Sequence, residues 1–343
     1  MAFTTIDKST DYFDTKLWTG NDTAQTITGI PFAPDFVWIK NRSAAESHTL
    51  VNTPIGANNF LKSNATSANN TNSEFLKSFT SDGYTLGNAD EVNNGSNNIV
   101  GWNWKAGTTS GIATNGSTQI TPSSYSFNQT SGFSIVKYTG IGGQPKAIAH
   151  GLGVQPKMFI IKRSDSTGSW GVLPQQISTG HLYLDATTAL GTVNPLSGGV
   201  LADTVNFSVS NSGDVNASGG TYVAYCFADV QGFSKMGSYT GNGNNDGAFV
   251  YTGFKPAWIM FKRTDSAESW IMADNKRDTD NSVIKYLEAN TANAEGSGVD
   301  YDFLSNGFKF RTTSQNTGGA TYIYMAFAEA PLVGTNNVPA TAR

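Results

Sequence analysis

The chain has 343 residues, 14% of them charged and 12% aromatic, with a net charge of −4. That length is ample for two or three domains with buried cores. With no basic block, nucleic acid has no electrostatic footprint here, and no apolar run approaches the length of a membrane-spanning helix.

Abundant Gly, Asn, Ser and Thr suit an all-β protein with many polar turns. The opening Met-Ala-Phe-Thr-Thr-Ile-Asp7 has no basic stretch ahead of an apolar one, so it does not read as a signal peptide. Residues 1–12 form a polar lead-in with Met1, Phe3 and Ile6 as anchors. A first β unit then runs to Ala106, opening on a strand that ends Trp18-Thr19-Gly20. Similar openings follow at Tyr138-Thr139-Gly140 and Tyr239-Thr240-Gly241, where the Gly is expected to supply a turn.

Each opening leads to the stretch that organises its unit. It reads Pro34-Asp-Phe36-Val37-Trp38-Ile39-Lys40, then Pro156-Lys-Met158-Phe159-Ile160-Ile161-Lys162, then Pro256-Ala-Trp258-Ile259-Met260-Phe261-Lys262. Each is a short apolar run behind a glycine (Gly29, Gly153, Gly253), which reads as a strand. Fourteen residues after each Pro comes a ring: His48, Trp170, Trp270. Each unit closes on an aromatic strand ending at Trp104, Phe227 or Phe327. Seventy residues separate Pro34 from Trp104, and 71 separate the second and third pairs. Constant spacing of matching landmarks signals internal duplication.

The fold expected is therefore all-β, with three homologous β-sandwich-like modules in tandem. Module one with its N-terminal arm takes residues 1–106, module two 132–229 and module three 233–329. A Gly/Ser/Thr-rich linker covers 107–131, and a C-terminal arm covers 330–343. The expected repeat core is Pro34, Trp38 and Trp104; Pro156, Ile160, Trp170 and Phe227; Pro256, Trp258, Trp270 and Phe327. In every key strand both faces are apolar, so both need a cover, either the packed outer layer of a sandwich or a neighbouring unit. That need, with loops too polar to supply the cover, points to a homo-oligomer, most simply a trimer, or to a subunit docked on another protein, with the arms and the 107–131 insert reaching across.

Little in the sequence points to chemistry. His48, His150 and His181 lack metal-ligand spacing, and His48 reads as a ring in a packing slot. The Asn/Asp loops at 241–247 and 278–281 match no calcium spacing and read as turns. No nucleophile elbow or P-loop appears, and no acidic pair recurs between units. Neither a catalytic site, a cofactor nor a metal is expected. The recurring bases Lys40 and Arg42, Lys162 and Arg163, Lys262 and Arg263 suggest surface pairs with the acidic loop that follows (Glu46, Asp165, Asp265, Glu268). The lone Cys226 can form no disulfide within the chain and reads as a core residue.

The opening through Asp7, Trp18-Thr-Gly-Asn21, the Pro-led key strands and the closing Ala326-Phe-Ala-Glu-Ala330-Pro-Leu-Val with Asn337-Val-Pro339 together resemble structural proteins of tailed bacteriophages, especially marine ones. The resemblance implies a virion component: a tail-fibre or tail-appendage protein that contacts other virion proteins and a host surface glycan or receptor. The alternatives are a capsid decoration protein and a free carbohydrate-binding lectin.

Overall fold

The computed structural model describes residues 4–331 and 333, apart from 144, 176, 178, 179 and 192–201. Strands dominate it. Among the described residues the helical pieces are single turns at Ser9–Asp11 and Asp90–Asn93. Met1, Phe3 and most of the C-terminal arm, including Asn337-Val-Pro339, lie outside the described residues.

Three antiparallel sheets carry the fold. In the first, the opening strand Phe13–Thr19 lies beside the closing strand Asn98–Trp104, then the key strand Phe36–Asn41, then a return strand Thr49–Asn52. The second repeats that order as Phe133–Thr139, Thr221–Phe227, Met158–Arg163 and Gly171–Pro174, flanked by Ser124–Asn128 and Leu182–Tyr183. The third repeats it as Ser234–Thr240, Thr321–Pro331, Phe254–Arg263 and Ile271–Asp274. It continues through Val283–Glu288, Gly296–Leu304 and Gly307–Phe310 to Phe249–Tyr251. This last sheet curls until its key strand meets Gly296–Leu304 and Gly307–Phe310 across the interior, nearly closing a barrel.

Register repeats as well as order. Trp38, Ile160 and Met260 stand opposite Trp102, Tyr225 and Met325. Pro34 and Pro156 precede their strands, whereas Pro256 lies inside its strand at a bulge, where the missing N–H breaks no regular ladder.

Alternation along each key strand divides it into two apolar faces. Val37 and Ile39, Phe159 and Ile161, and Ile259 and Phe261 enter three separate outer clusters, each roofed by strands of its own unit. Phe36 and Trp38, Met158 and Ile160, and Trp258 and Met260 enter one cluster shared by all three units. The three units thus share one inner core in addition to the outer cluster that each keeps for itself. A strand apolar on both faces needs two covers; its own unit supplies one and the neighbouring units supply the other. The faces that called for a partner chain are covered within this chain.

The 107–131 segment is not a spacer. Ser124–Asn128 pairs with the second opening strand, Thr108 bridges Phe127, and Ile120 is buried beside Ile148 in the second outer cluster. Its apolar residues, sparse as they are, occupy positions on the second unit.

Two glycine positions recur for different reasons. Gly29, Gly153 and Gly253 have φ of +77°, +70° and +85°, in the left-handed region that favours glycine. Gly20, Gly140 and Gly241 do not make the turn the sequence suggested. They admit a neighbouring backbone: an added Cβ would lie 1.9 Å from the Asn94 carbonyl oxygen, 2.4 Å from that of Ala217 and 2.3 Å from that of Thr317.

Candidate functional site

All the residues of the expected repeat core are buried. Trp38, Trp104, Ile160, Trp170, Phe227, Trp258, Trp270 and Phe327 meet in the shared cluster, and Pro34, Pro156 and Pro256 lie at or near the heads of the key strands. Trp104 lies 5.7 Å from Trp258 and 5.6 Å from Phe327, ring centre to ring centre, both edge-on, and Phe227 lies 6.1 Å from Phe327. The cavity among them holds only about 10 Å³. That is close to the least volume a single water needs, so this centre is packing and not a ligand site.

The ring residues join the units to one another. Trp170 Nε1 donates to the Lys62 carbonyl of the first unit (2.9 Å), and Trp270 Nε1 donates to the Tyr183 carbonyl of the second (2.8 Å). His48 Nε2 donates to the Glu288 carbonyl of the third (3.0 Å). Lys62, Tyr183 and Glu288 each follow the leucine that pairs with the return strand (Leu61, Leu182, Leu287), so the three bonds are equivalent. Side-chain oxygens of Asn64, Asp185 and Asn290 accept from the backbone N–H groups of His48, Trp170 and Trp270 (3.0, 2.8 and 2.7 Å). A second set runs between backbones: Asn69 N–H to Ser164 O, Leu190 N–H to Thr264 O and Glu295 N–H to Arg42 O, at 2.9, 2.8 and 2.9 Å. First bonds to second, second to third and third to first, so one chain closes into a ring.

The seam between third and first units carries a buried ionic network that sequence reading missed. Arg277 Nε donates to Asp274 Oδ2 (2.5 Å), Arg277 Nη1 to Glu295 Oε2 (3.1 Å) and Arg277 Nη2 to the Met272 carbonyl (3.0 Å). From the first unit, Trp102 Nε1 donates to Asp274 Oδ2 (3.0 Å), while Arg42 grips Glu295 through Nε and Nη2 (2.9 and 2.8 Å). The Asp274 and Arg277 side chains are fully buried. Asp274 occupies the place of Asn52 and Pro174 opposite Phe36, Met158 and Trp258 in the key strands. A carboxylate at a core-facing position was the one available signal.

The recurring lysines are not surface pairs. Lys40, Lys162 and Lys262 are fully buried. Each Nζ donates at 2.6 Å to the carbonyl of the next residue. Each also reaches a second carbonyl, of Ala44, Thr66 or Ser266 (3.2, 3.2 and 3.3 Å). Burial pulls all three ammonium groups down to about 8. The second and third acidic loops pair instead with the arginines: Arg163 with Asp165, and Arg263 with Asp265 and Glu268.

His48 is a packing ring, as expected, but also a neutral polar bridge. Its Nδ1 accepts from Trp38 Nε1 (2.9 Å) and its Nε2 faces a carbonyl, which fixes the Nε2–H tautomer. Burial pulls its titration down to about 3, and that of His150 to about 4. An unfolded imidazole titrates near 6.5. As pH falls below that value the unfolded chain binds protons that the folded chain refuses. Stability is lost by up to about 1.4 kcal/mol per pH unit for each histidine. Asp14 acts oppositely, since burial lifts its carboxyl to about 6 and favours the folded chain between there and 3.8. His48→Phe isolates the bridge. It is expected to cost about 1–3 kcal/mol at pH 7 for the Trp38 Nε1–H left unpaired, since the Glu288 carbonyl still accepts from the Thr291 N–H (3.2 Å). It should also make the urea midpoint fall less steeply between pH 6.5 and 4 than in the parent; equal slopes would remove His48 from this role.

One cleft lies in the third unit. It holds about 300 Å³ and is lined by Glu268, Ser269, Tyr286, Glu288, Ser297 and Gln315 over a floor of Ile271 and Val299. Its origin is a departure from the repeat. Trp18, Tyr138 and Tyr239 donate from their side chains to the carbonyls of Val92, Val215 and Gln315 (3.1, 2.6 and 2.9 Å). The residues after these, Asn93, Asn216 and Asn316, each accept a backbone N–H at 3.0 Å from the residue following Gly20, Gly140 or Gly241. The three positions are thus equivalent. Val92 and Val215 are buried in their outer clusters, whereas Gln315 has φ +53° and lines the cleft. Its Oε1 is buried with no donor. Glu268 Oε1 accepts from Arg263 (2.9 Å), and Glu288 Oε2 accepts from Thr291 (3.0 Å) and Asn293 (3.1 Å).

Residues 8–331 match the model of a domain of unknown function, DUF7483. Neither a curated protein nor a solved structure matches the chain. The match takes in all three units, their seams and the cleft, and the chain belongs to the DUF7483 family.

Proposed function

We propose that the chain is a structural protein of a tailed-bacteriophage particle, built from three homologous β-sandwich-like modules that arose by duplication. The observation that carries this is the ring of equivalent hydrogen bonds closing one chain around a shared core. It makes a rigid block with approximate threefold symmetry, and the repeated residues are used up in building it. The particle reading draws further support from the resemblance in the opening, key-strand and closing motifs. A tail-fibre or tail-appendage place, with other virion proteins as partners, fits such a block; capsid decoration fits it too. The threefold once assigned to a trimer is present within a single chain, so docking on a partner with a threefold or sixfold axis is the simpler assembly. Nucleic acid and membrane insertion have no part in this reading, nor has catalysis.

The test is localisation on purified particles with an antibody against the chain. Gold label on tail or capsid is the expected result, and particles lacking the chain altogether would end the proposal. A free lectin is the second reading, favoured by the third-unit cleft. Label absent from particles together with binding to a glycan array would select it.

A further inference from the structure

We infer that the third-unit cleft binds a single neutral sugar ring. This deepens the attachment half of the reading above, and depends on that reading only for its biological setting.

The walls present mostly acceptors. Among the described residues, the carboxylates of Glu268 and Glu288 each have a second oxygen that accepts no protein hydrogen bond, and the side chain of Gln315, whose Oε1 is buried without a donor, lines the wall beside them. A ligand must therefore bring several donors close together, as the hydroxyls around a pyranose do. The other wall is flat and apolar. The half-buried Tyr286 ring packs over Gly296, whose added Cβ would lie 2.6 Å from the ring, and Val299 and Ile271 are buried beneath. An aromatic face offers area to the C–H face of a sugar. A volume of about 300 Å³ stands at the lower end of small-molecule sites, which suits one ring and no more.

Two features mark the cleft as built. The first two units fill the equivalent place with valine, and the third gives that cover up for a glutamine. That glutamine holds a left-handed backbone, which a residue with a side chain adopts at a cost. The Glu288 carboxylate, which pairs with no cation among the described residues, sets the sign of the ligand, while Glu268 is offset by Arg263: uronic and sialic acids would face like charge, so neutral hexoses are selected.

The test uses the full chain in ligand-observed NMR. The probes are methyl glycosides of neutral hexoses, methyl glucuronide and an amine-bearing methyl glucosaminide. At least one neutral hexose is expected to bind and the glucuronide is not. Gln315→Gly, which suits the positive φ and should preserve the fold, and Tyr286→Ala should each weaken binding about tenfold or more, equivalent to about 1.4 kcal/mol. Unchanged denaturation midpoints in these variants would show that the fold is kept. Binding of the glucosaminide alone would mark a cation site and overturn the inference. So would no signal with any neutral hexose, or binding that survives both substitutions. A chain found on particles that binds no sugar would lose the cleft and keep the particle reading.

Discussion

Arg277→Met is expected to lower the unfolding free energy by about 3–5 kcal/mol, the usual cost of breaking a buried ion pair from one side. The substitution keeps a long apolar stem, so the loss is mainly electrostatic. Asp274, fully buried, would keep Trp102 as a side-chain donor but lose its cation, and Glu295 would keep only Arg42. A chain with Asp274→Asn added should recover part of the loss, because a neutral amide tolerates the site better than an unpaired carboxylate. Urea denaturation at pH 7 measures both. A fall below about 1 kcal/mol would place the pair among ordinary surface bridges and refute its role in closing the ring.

Residues 233–331, expressed alone, should fail to give a cooperative unfolding transition. Their inner face carries Trp258, Met260, Trp270, Met272, Met325 and Phe327, all in the shared cluster. Stripped of the other two units, that face would be an apolar patch well beyond the few hundred Å² that monomers tolerate. The fragment should bind a hydrophobic dye or aggregate, while the whole chain melts in one step. A soluble, monomeric fragment with a sharp transition would show that each module owns a sufficient core.

The strands and their threefold recurrence were legible because they rest on local chemistry: glycine ahead, proline at the head, four apolar residues, a base. The two-faced character of Trp258 to Phe261 was also legible, and it led to the demand for two covers. Which surface supplies the second cover was not. Glu288 and His48 are 240 residues apart in sequence, and Arg42 and Glu295 are 253 apart. No local pattern encodes such pairings. The lysines were misread for a related reason: Lys262 looks like a surface base until the loop carbonyls that wrap it are seen. The cleft was hidden because Gln315 has no motif of its own. Its meaning comes from Val92 and Val215, and only the hydrogen bonds from Trp18, Tyr138 and Tyr239 establish that the three positions correspond.

Closing the ring through its first and last units also orders events at the ribosome. The first unit's ring residue, His48, finds its acceptor only when Glu288 has been made, and Arg42 waits longer for Glu295. At about 5–20 residues per second, the inner face around Trp38 and Trp104 stands uncovered for some 10–50 seconds after it emerges. Contacts this distant in sequence also close slowly. The outer clusters, whose strands lie within one unit, can form at once and hold the sheets in register meanwhile. The chain is thus obliged to store two half-finished layers until the third arrives, which makes the nascent chain, and not the finished ring, the state most exposed to chaperones and to misassembly.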